Sequence, residues 1–387
     1  MPFDAVDPAR AEMIDLFAGP GGLDVAASWL GVPAVGIELD SNACATRRKA
    51  GLTTRQTDVR KLHPCHFPKA RVLTAGPPCQ TFSVAGSGAG RRALDQVLAF
   101  VKRMGAGDDV RADLAQLEDE RTGLVLEPLR WALEAIEWTR PFEVIVLEQV
   151  PTVLPVWMEV GEALSARGYK VECQILRTEE FGVPQTRRRA VLIAHLHRAP
   201  KRLEPTHRKF QKGLRRSDGK QNLLEWRSMG DALGREDEFI VVSNYGTGGV
   251  PEARGERRHD EPAFTVTGKV SRNKFSVDGS HLGNLTTEDA GLLQTFPRDY
   301  PWSGRDIAQQ IGNAIPPRLA AHVLCEAIFG RKPEAQALDA AVAGTWMLAK
   351  QGSYRLLPDH DDLELPEFRA DEDAATLFDI DSATISK

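Results

Sequence analysis

Over the first 200 residues, short β-rich apolar runs alternate with helix-patterned segments, and this alternation restricts the chain more than any other property. Residues 13–17, 34–39, 71–75, 143–147, 169–177 and 190–196 read as strands, and 22–30, 42–50, 124–139 and 155–167 as helices. Alternation of this kind builds βαβ units, hence an α/β fold with a doubly wound, mixed but mostly parallel sheet. Ligands of such sheets bind outside the carboxyl ends of the strands. The residues that follow each strand are therefore where chemistry is expected.

The alternation fades after residue 196. Residues 197–278 are rich in Arg, Lys, Gly and Pro, with strand-like pieces at 239–243 and 263–267, and read as a small, irregular, separate domain. Helical patterns return at 286–293, 318–329 and 334–350. The net charge of −5 hides a strong asymmetry. Residues 359–387 hold ten acids against Arg369 and Lys387, a net of −8, which leaves residues 1–358 at +3. Residues 187–220 carry twelve Lys/Arg against Glu204 and Asp218, a net of +10. A basic segment suits an anionic polymer, and the acidic end reads as a disordered tail.

No apolar run reaches the roughly 18–20 residues that span a bilayer. The first twelve residues hold three acids and one base, Arg10, unlike a secretory signal. A cytoplasmic protein without membrane contact is expected. The five cysteines are scattered and form no CxxC pair, so neither a disulfide framework nor a metal site is expected.

Five motifs fall at strand ends or helix starts. Asp15-Leu16-Phe17-Ala18-Gly19-Pro20-Gly21-Gly22 follows a strand and opens a helix; its glycines allow close backbone approach to a ligand. Glu38, ending the next strand, is placed to accept hydrogen bonds from ribose hydroxyls. Together these indicate a nucleoside cofactor. Gly76-Pro77-Pro78-Cys79-Gln80 sets a thiol at a strand's carboxyl end, where its thiolate would be a strong nucleophile. Glu148-Gln149-Val150 ends an apolar strand; desolvation there favours the protonated carboxyl, which can donate to a ring nitrogen. In Gln185-Thr186-Arg187-Arg188-Arg189 the alternate residues Gln185, Arg187 and Arg189 would share one face, suited to phosphate or a polarised base oxygen. The fifth, residues 310–317 with Gly312-Asn313-Ala314, reads as a turn and helix start.

In this order and company, the motifs resemble those of the DNA cytosine-5 methyltransferase family, bacterial and phage type, over about residues 13–330. The resemblance implies a Rossmann-like S-adenosylmethionine-dependent methyltransferase. It implies that Phe17, Gly19, Gly21 and Gly22 form the cofactor loop, that Glu38 binds the ribose and Leu39 packs on the adenine. Asp58 would accept from the adenine amino group beside Val59, while Pro78 and Asn313 complete the cofactor side. Cys79 would be the nucleophile, Glu148 the acid on the target cytosine, and Arg187 and Arg189 the arginines near the flipped base. Gln149 stands where the family usually has Asn. The long segment between Cys79 and Leu124, with Gly86, Gly88, Gly90, Arg91 and Arg92, would be a loop that closes on DNA.

The implied organisation is a catalytic domain at 1–196, a target recognition domain at 197–283, a return segment at 284–330 and an extension at 331–387 that ends in the acidic tail. The implied activity is methyl transfer from S-adenosylmethionine to C5 of a flipped cytosine in double-stranded DNA at a specific sequence. It would proceed through a covalent adduct of Cys79 with C6, and the base would be flipped because neither C6 nor N3 is reachable inside a duplex. Gln80, Ser83, Arg91, Arg92, Gln185, Arg254, Arg257, Arg272 and Lys274 are the expected DNA contacts. The chain is expected to act as a monomer in the nucleoid-bearing cytoplasm, within a restriction-modification system and beside a cognate restriction endonuclease. Methylation of cytosine in tRNA and a catalytically silent DNA-binding relative are the alternatives.

Overall fold

The computed structural model describes residues 10–78, 88–114, 116, 120–243, 255–350, 354 and 356–357. The expected nucleophile Cys79, the expected DNA contacts Gln80, Ser83 and Arg254, and the acidic tail lie outside the described residues; of Arg91 and Arg92 only the backbone is described.

Strands β1 (Met13–Leu16), β2 (Ala34–Glu38), β3 (Thr54–Gln56), β4 (Val72–Ala75), β5 (Val144–Gln149), β6 (Lys170–Arg177) and β7 (Arg188–His195) form one sheet in the order β3-β2-β1-β4-β5-β7-β6. The first five run parallel, and β7 lies antiparallel between β5 and β6. β1 and β4 are buried at every residue, as expected of parallel strands covered on both faces. Helices α1 (Gly22–Leu30), α2 (Ser41–Ala50), α3 (Gly88–Ala106), α4 (Arg111–Leu114), α5 (Glu120–Leu124), α6 (Glu127–Glu137) and α7 (Leu154–Ser165) are the crossovers. The order reverses between β1 and β4, which opens a crevice at their carboxyl ends.

Local signals set the helix limits. The Asp40 side chain accepts from Ala43 N at 2.8 Å to start α2, and Gly51 ends it in the left-handed region. The glycine-rich loop expected after Cys79 is instead helical from Gly88 on. Ala93, Val97, Val101 and Met104 recur at helical spacing and are all buried in the main core, which outweighs the glycines at the start of α3.

A second sheet joins β8 (Ile240–Ser243), β9 (Gly255–Arg258), β10 (Asn273–Val277) and β11 (Ser280–Asn284) in the antiparallel order β11-β10-β8-β9. The helices α8 (Met229–Leu233), α9 (Thr287–Leu293) and α10 (Ile307–Asn313) complete this part. Residues 263–267, expected as a strand, make only a bridge from Ala263 to Gln185. The second core combines Phe239, Val241 and Phe275 of the small sheet with Ala290, Leu293 and Ile311 of the expected return segment. The return segment thus builds both parts of the molecule, since α11 (Pro317–Leu324) packs on α1. A turn of π-helix, Cys325–Phe329, extends α11.

The single helix expected over 334–350 is broken at Gly344 into α12 (Ala335–Ala343) and α13 (Trp346–Lys350). Trp346 explains the break: its backbone N–H donates to Asp299 at 2.6 Å, and its indole N–H to the Ala50 carbonyl at 3.0 Å. Among the described residues, no helix is long and apolar enough to cross a membrane.

Candidate active site at the carboxyl ends of the parallel strands

The loop after β1 is tightly wound. Phe17 holds φ 59°, Gly19 φ 54° and Gly21 φ 107°, an arrangement in which a non-glycine such as Phe17 is strained. Glu38, at the end of the adjacent β2, closes the loop. Its Oε2 accepts from Gly19 N at 2.7 Å and its Oε1 from Asp40 N at 2.7 Å. Leu39 is 62% exposed, unusual for a leucine at a strand end inside a crevice. Asp58, after β3, caps the turn Val59–Lys61 and pairs with Arg60 at 2.7 Å. Those bonds from Arg60 hold its carboxyl below the usual carboxylate range.

Val59 sits differently from the expectation. The residue is 4% exposed and belongs to the main core, and its carbonyl accepts from Arg130 at 3.0 Å, so it offers the crevice no open side chain. Asn313 is exposed and accepts from Gln309 at 2.6 Å. Its neighbours do the closer packing. A Cβ on Gly22 would lie 2.3 Å from the Ile315 carbonyl oxygen, and one on Gly312 would lie 2.4 Å from Gly268 N. Only glycine permits both approaches.

Two residues that the sequence did not single out brace this loop from behind. Tyr300 donates from its hydroxyl to the Pro20 carbonyl at 2.5 Å. Arg47, fully buried in α2, makes a two-pronged ion pair with Asp24 at 2.7 and 2.8 Å. Neither is legible locally: Arg47 looks like one of three exposed bases, Arg47-Arg48-Lys49, at a helix end.

On the other side of the switch point, the register pairs Ala75 of β4 with Leu147 of β5. Glu148 therefore stands beside Gly76, the first residue of the Gly76–Gln80 motif; a Cβ on Gly76 would lie 3.6 Å from Glu148 Oε2. Glu148 is 7% exposed and ion-paired to Arg189 Nε across the antiparallel β5–β7 pair. Burial raises its carboxyl above the usual range, and Arg189 opposes that shift without cancelling it. Gln149 spans the position usually held by Asn. Its amide nitrogen donates to the Pro77 carbonyl, and its oxygen accepts from Val150 N at 2.6 Å. The longer side chain thus ties β5 to the segment after β4 at Pro77.

Gln185, Arg187 and Arg189 do not share one solvent-facing surface. Gln185 is fully buried, donating to the Leu293 carbonyl at 2.9 Å and Gln294 Oε1 at 2.7 Å, and accepting from Val266 N at 2.9 Å. Every polar atom of its amide is engaged, so it is corrected from a DNA contact to an internal strap. Arg187 is 3% exposed and donates to the carbonyls of Val266 at 2.8 Å and Gly312 at 2.7 Å. Its reach toward a flipped base is taken up by these bonds to Val266 and to the return segment. Of the three, Arg189 alone joins Glu148.

In the small sheet, Arg272 is exposed at the start of β10 and Lys274 is half-buried within it. Arg257 packs against two phenylalanine rings.

The arrangement is that of a Rossmann-like methyltransferase, and comparison with known proteins carries it to a family. The model of the C-5 cytosine-specific DNA methylases matches residues 11–101 and 115–329. The Type II methyltransferase M1.HphI of Haemophilus parahaemolyticus is 29% identical, over 82% of this chain and 86% of the relative. M.NaeI of Lentzea aerocolonigenes is 28% identical, over 80% and 72%. In structure, the chain is similar to S. pombe Dnmt2 methyltransferase, with TM-score 0.53, 16% identity and coverage of 82% and 97%. It is also similar to a putative prophage-encoded DNA modification methyltransferase from E. coli, with TM-score 0.52, 17% identity and coverage of 81% and 97%. The chain belongs to the C-5 cytosine-specific DNA methylase family and is a DNA (cytosine-5-)-methyltransferase.

Proposed function

We propose that this chain methylates C5 of a cytosine flipped out of double-stranded DNA at a specific sequence, through a covalent bond from Cys79 to C6. The observation that carries the reading is the placement of Glu148, paired to Arg189, against Gly76, three residues before Cys79 in the sequence.

The strand-end residues fit S-adenosylmethionine as cofactor. A Cβ on Gly19 would meet nothing within 4 Å, so the loop leaves open space there; Leu39 offers an exposed apolar face, and Glu38 a half-buried carboxylate. Phe17, Gly19, Gly21, Glu38, Leu39 and Asp58 would hold it. When bound, it supplies an electrophilic methyl group.

The protein's own groups prepare the base. The Cys79 thiolate adds to C6, and the electron pair of the C5–C6 double bond spreads toward C4 and N3. Glu148, whose burial favours the protonated form, holds a proton at N3 and stabilises that charge. Arg189 fixes the carboxyl in position and keeps its pKa from climbing further. After methylation, C5 loses its proton to a base, the C5–C6 double bond re-forms and the thiolate leaves.

Extruding the base costs a few kcal/mol. Phosphate contacts from the basic residues 187–220 offset that cost. Residues 197–283 supply sequence recognition. Relatives named Type II methyltransferases support a role in a restriction-modification system beside a cognate endonuclease, with the enzyme acting as a monomer in the nucleoid-bearing cytoplasm.

Trapping tests the chemistry. Duplexes with 5-fluorocytosine at the modified position should cross-link permanently to the enzyme when S-adenosylmethionine is present, since fluorine cannot leave as a proton does. Cys79→Ala should bind the duplex yet give neither cross-link nor transfer. Labelled methyl appearing in tRNA and not in DNA, or full activity of Cys79→Ala, would overturn the proposal.

A further inference from the structure

Arg257 lies on β9, opposite Val241 of β8. Its guanidinium carbon is 4.6 Å from the ring centroid of Phe210 and 4.6 Å from that of Phe264. Both rings are themselves held. Phe210 stands edge-on to Trp226 at 5.4 Å, and the Trp226 indole N–H donates to the Asp260 carbonyl at 3.1 Å. Phe264 lies over Gly255, where a Cβ would come within 3.0 Å of its Cζ. The guanidinium is thus fixed by two aromatic rings on different segments of the chain.

Despite this, the group has no hydrogen-bond or ion-pair partner among the described residues, and its Nε is buried without an acceptor. Neighbouring arginines are paired: Arg258 with Asp260, Arg235 with Asp237 and Arg216 with Asp231. Burial lowers the pKa of Arg257, against the pull of Glu261 and Glu179. A half-buried cation whose Nε has lost water without gaining an acceptor favours an acceptor arriving from outside. The position is apt for that. Phe264 adjoins Thr265, whose hydroxyl donates at 2.6 Å to the carbonyl of Thr186, three residues before Arg189 of the base-side pair.

Given the DNA-methylating role proposed above, we propose that Arg257 is a specificity-determining residue that offers its planar N–H fork to the paired acceptors O6 and N7 of a guanine in the recognition sequence. A phosphate presents similar acceptors. The rigid seat favours the base. Phosphate contacts set affinity and register and accept a cation from many directions, whereas a base edge demands a fork of fixed direction.

The test is methylation of a randomised duplex library by the full chain with S-adenosylmethionine, read by bisulfite sequencing. Wild type, Arg257→Lys, Arg257→Met and Phe264→Leu are compared, with thermal unfolding of each. Wild type should require guanine at one position. Both Arg257 variants should lose about 10- to 100-fold of the discrimination at that position alone. Phe264→Leu should lose less, because the fork stays but is looser. Three outcomes overturn the proposal: a recognition sequence without guanine, a loss uniform over all sequences as for a phosphate contact, or a lower melting temperature with every preference unchanged. If wild type methylates no member of the library, the DNA reading beneath the proposal falls with it; retained methylation with unaltered preferences sinks Arg257 alone.

Discussion

Asp58, after β3, and Glu148, ending β5, are both acids at strand carboxyl ends, yet their surroundings push them in opposite directions. Asp58 accepts hydrogen bonds from the side chain and backbone of Arg60, which hold its carboxyl below the usual range. Glu148 is shut into the core side of the crevice with Arg189, and burial raises it. The first is biased toward the ionised acceptor, which the proposed adenine contact would use; the second is biased toward the protonated form, which the proposed contact with a ring nitrogen would use. Burial and partner alone thus separate two acids at strand ends of one sheet.

The comparison breaks most visibly at Glu148. Glu148→Gln keeps the shape but removes the proton, and single-turnover methyl transfer should slow by about 10²- to 10⁴-fold with DNA affinity held. An unchanged turnover would take Glu148 out of the chemistry. On the cofactor side the matching change is milder. Glu38→Ala removes the acceptor for Gly19 N and Asp40 N, and binding of S-adenosylmethionine, measured by calorimetry, should weaken about 10- to 100-fold. Unaltered affinity would mean that the loop closes without it.

A third acid sharpens the contrast through stability. Glu179 is 3% exposed, its Oε2 has no partner among the described residues, and burial lifts it to about 7. Below the ordinary glutamate range both folded and unfolded chains hold the proton, and the stabilising balance is intact. As pH rises toward and through 7, the unfolded chain ionises first and stability falls, by up to about 3 kcal/mol once the folded form has ionised too. Glu179→Gln should therefore raise resistance to urea at pH 8 and change it little at pH 4. Equal effects at both would show that the carboxyl is solvated.

Much of the main sheet was legible in advance. β1, α1, β2, α2, β4, β5, α7, β6 and β7 lie within one or two residues of their expected limits, because each rests on a local apolar period and on adjacent caps. α3 was missed because Gly86, Gly88 and Gly90 read as a loop, although Ala93, Val97, Val101 and Met104 carried the helical period. The small sheet was harder. β9 is Gly-Glu-Arg-Arg, with no apolar residue to announce a strand.

The site divides the same way. That Glu38, Asp58 and Glu148 end or follow strands is a fact of local order along the chain. What each polar side chain faces is set elsewhere. Gln185 and Arg187 look like exposed DNA contacts until Leu293, Gln294, Val266 and Gly312, about 80 to 125 residues away, close over them. Arg47 is an ordinary surface arginine in the sequence and Arg257 one of several candidate DNA contacts; the fold fixes both.

The sequence by itself determined the strands, their alternation with helices and the order of the groups along the chain. Apolar periodicity and turn residues act over a few residues and need nothing distant. Only the tertiary structure decided which charges are buried, which are paired and which are left with donors to spare. Desolvation and hydrogen bonding depend on atoms brought near by folding, and no local pattern records them.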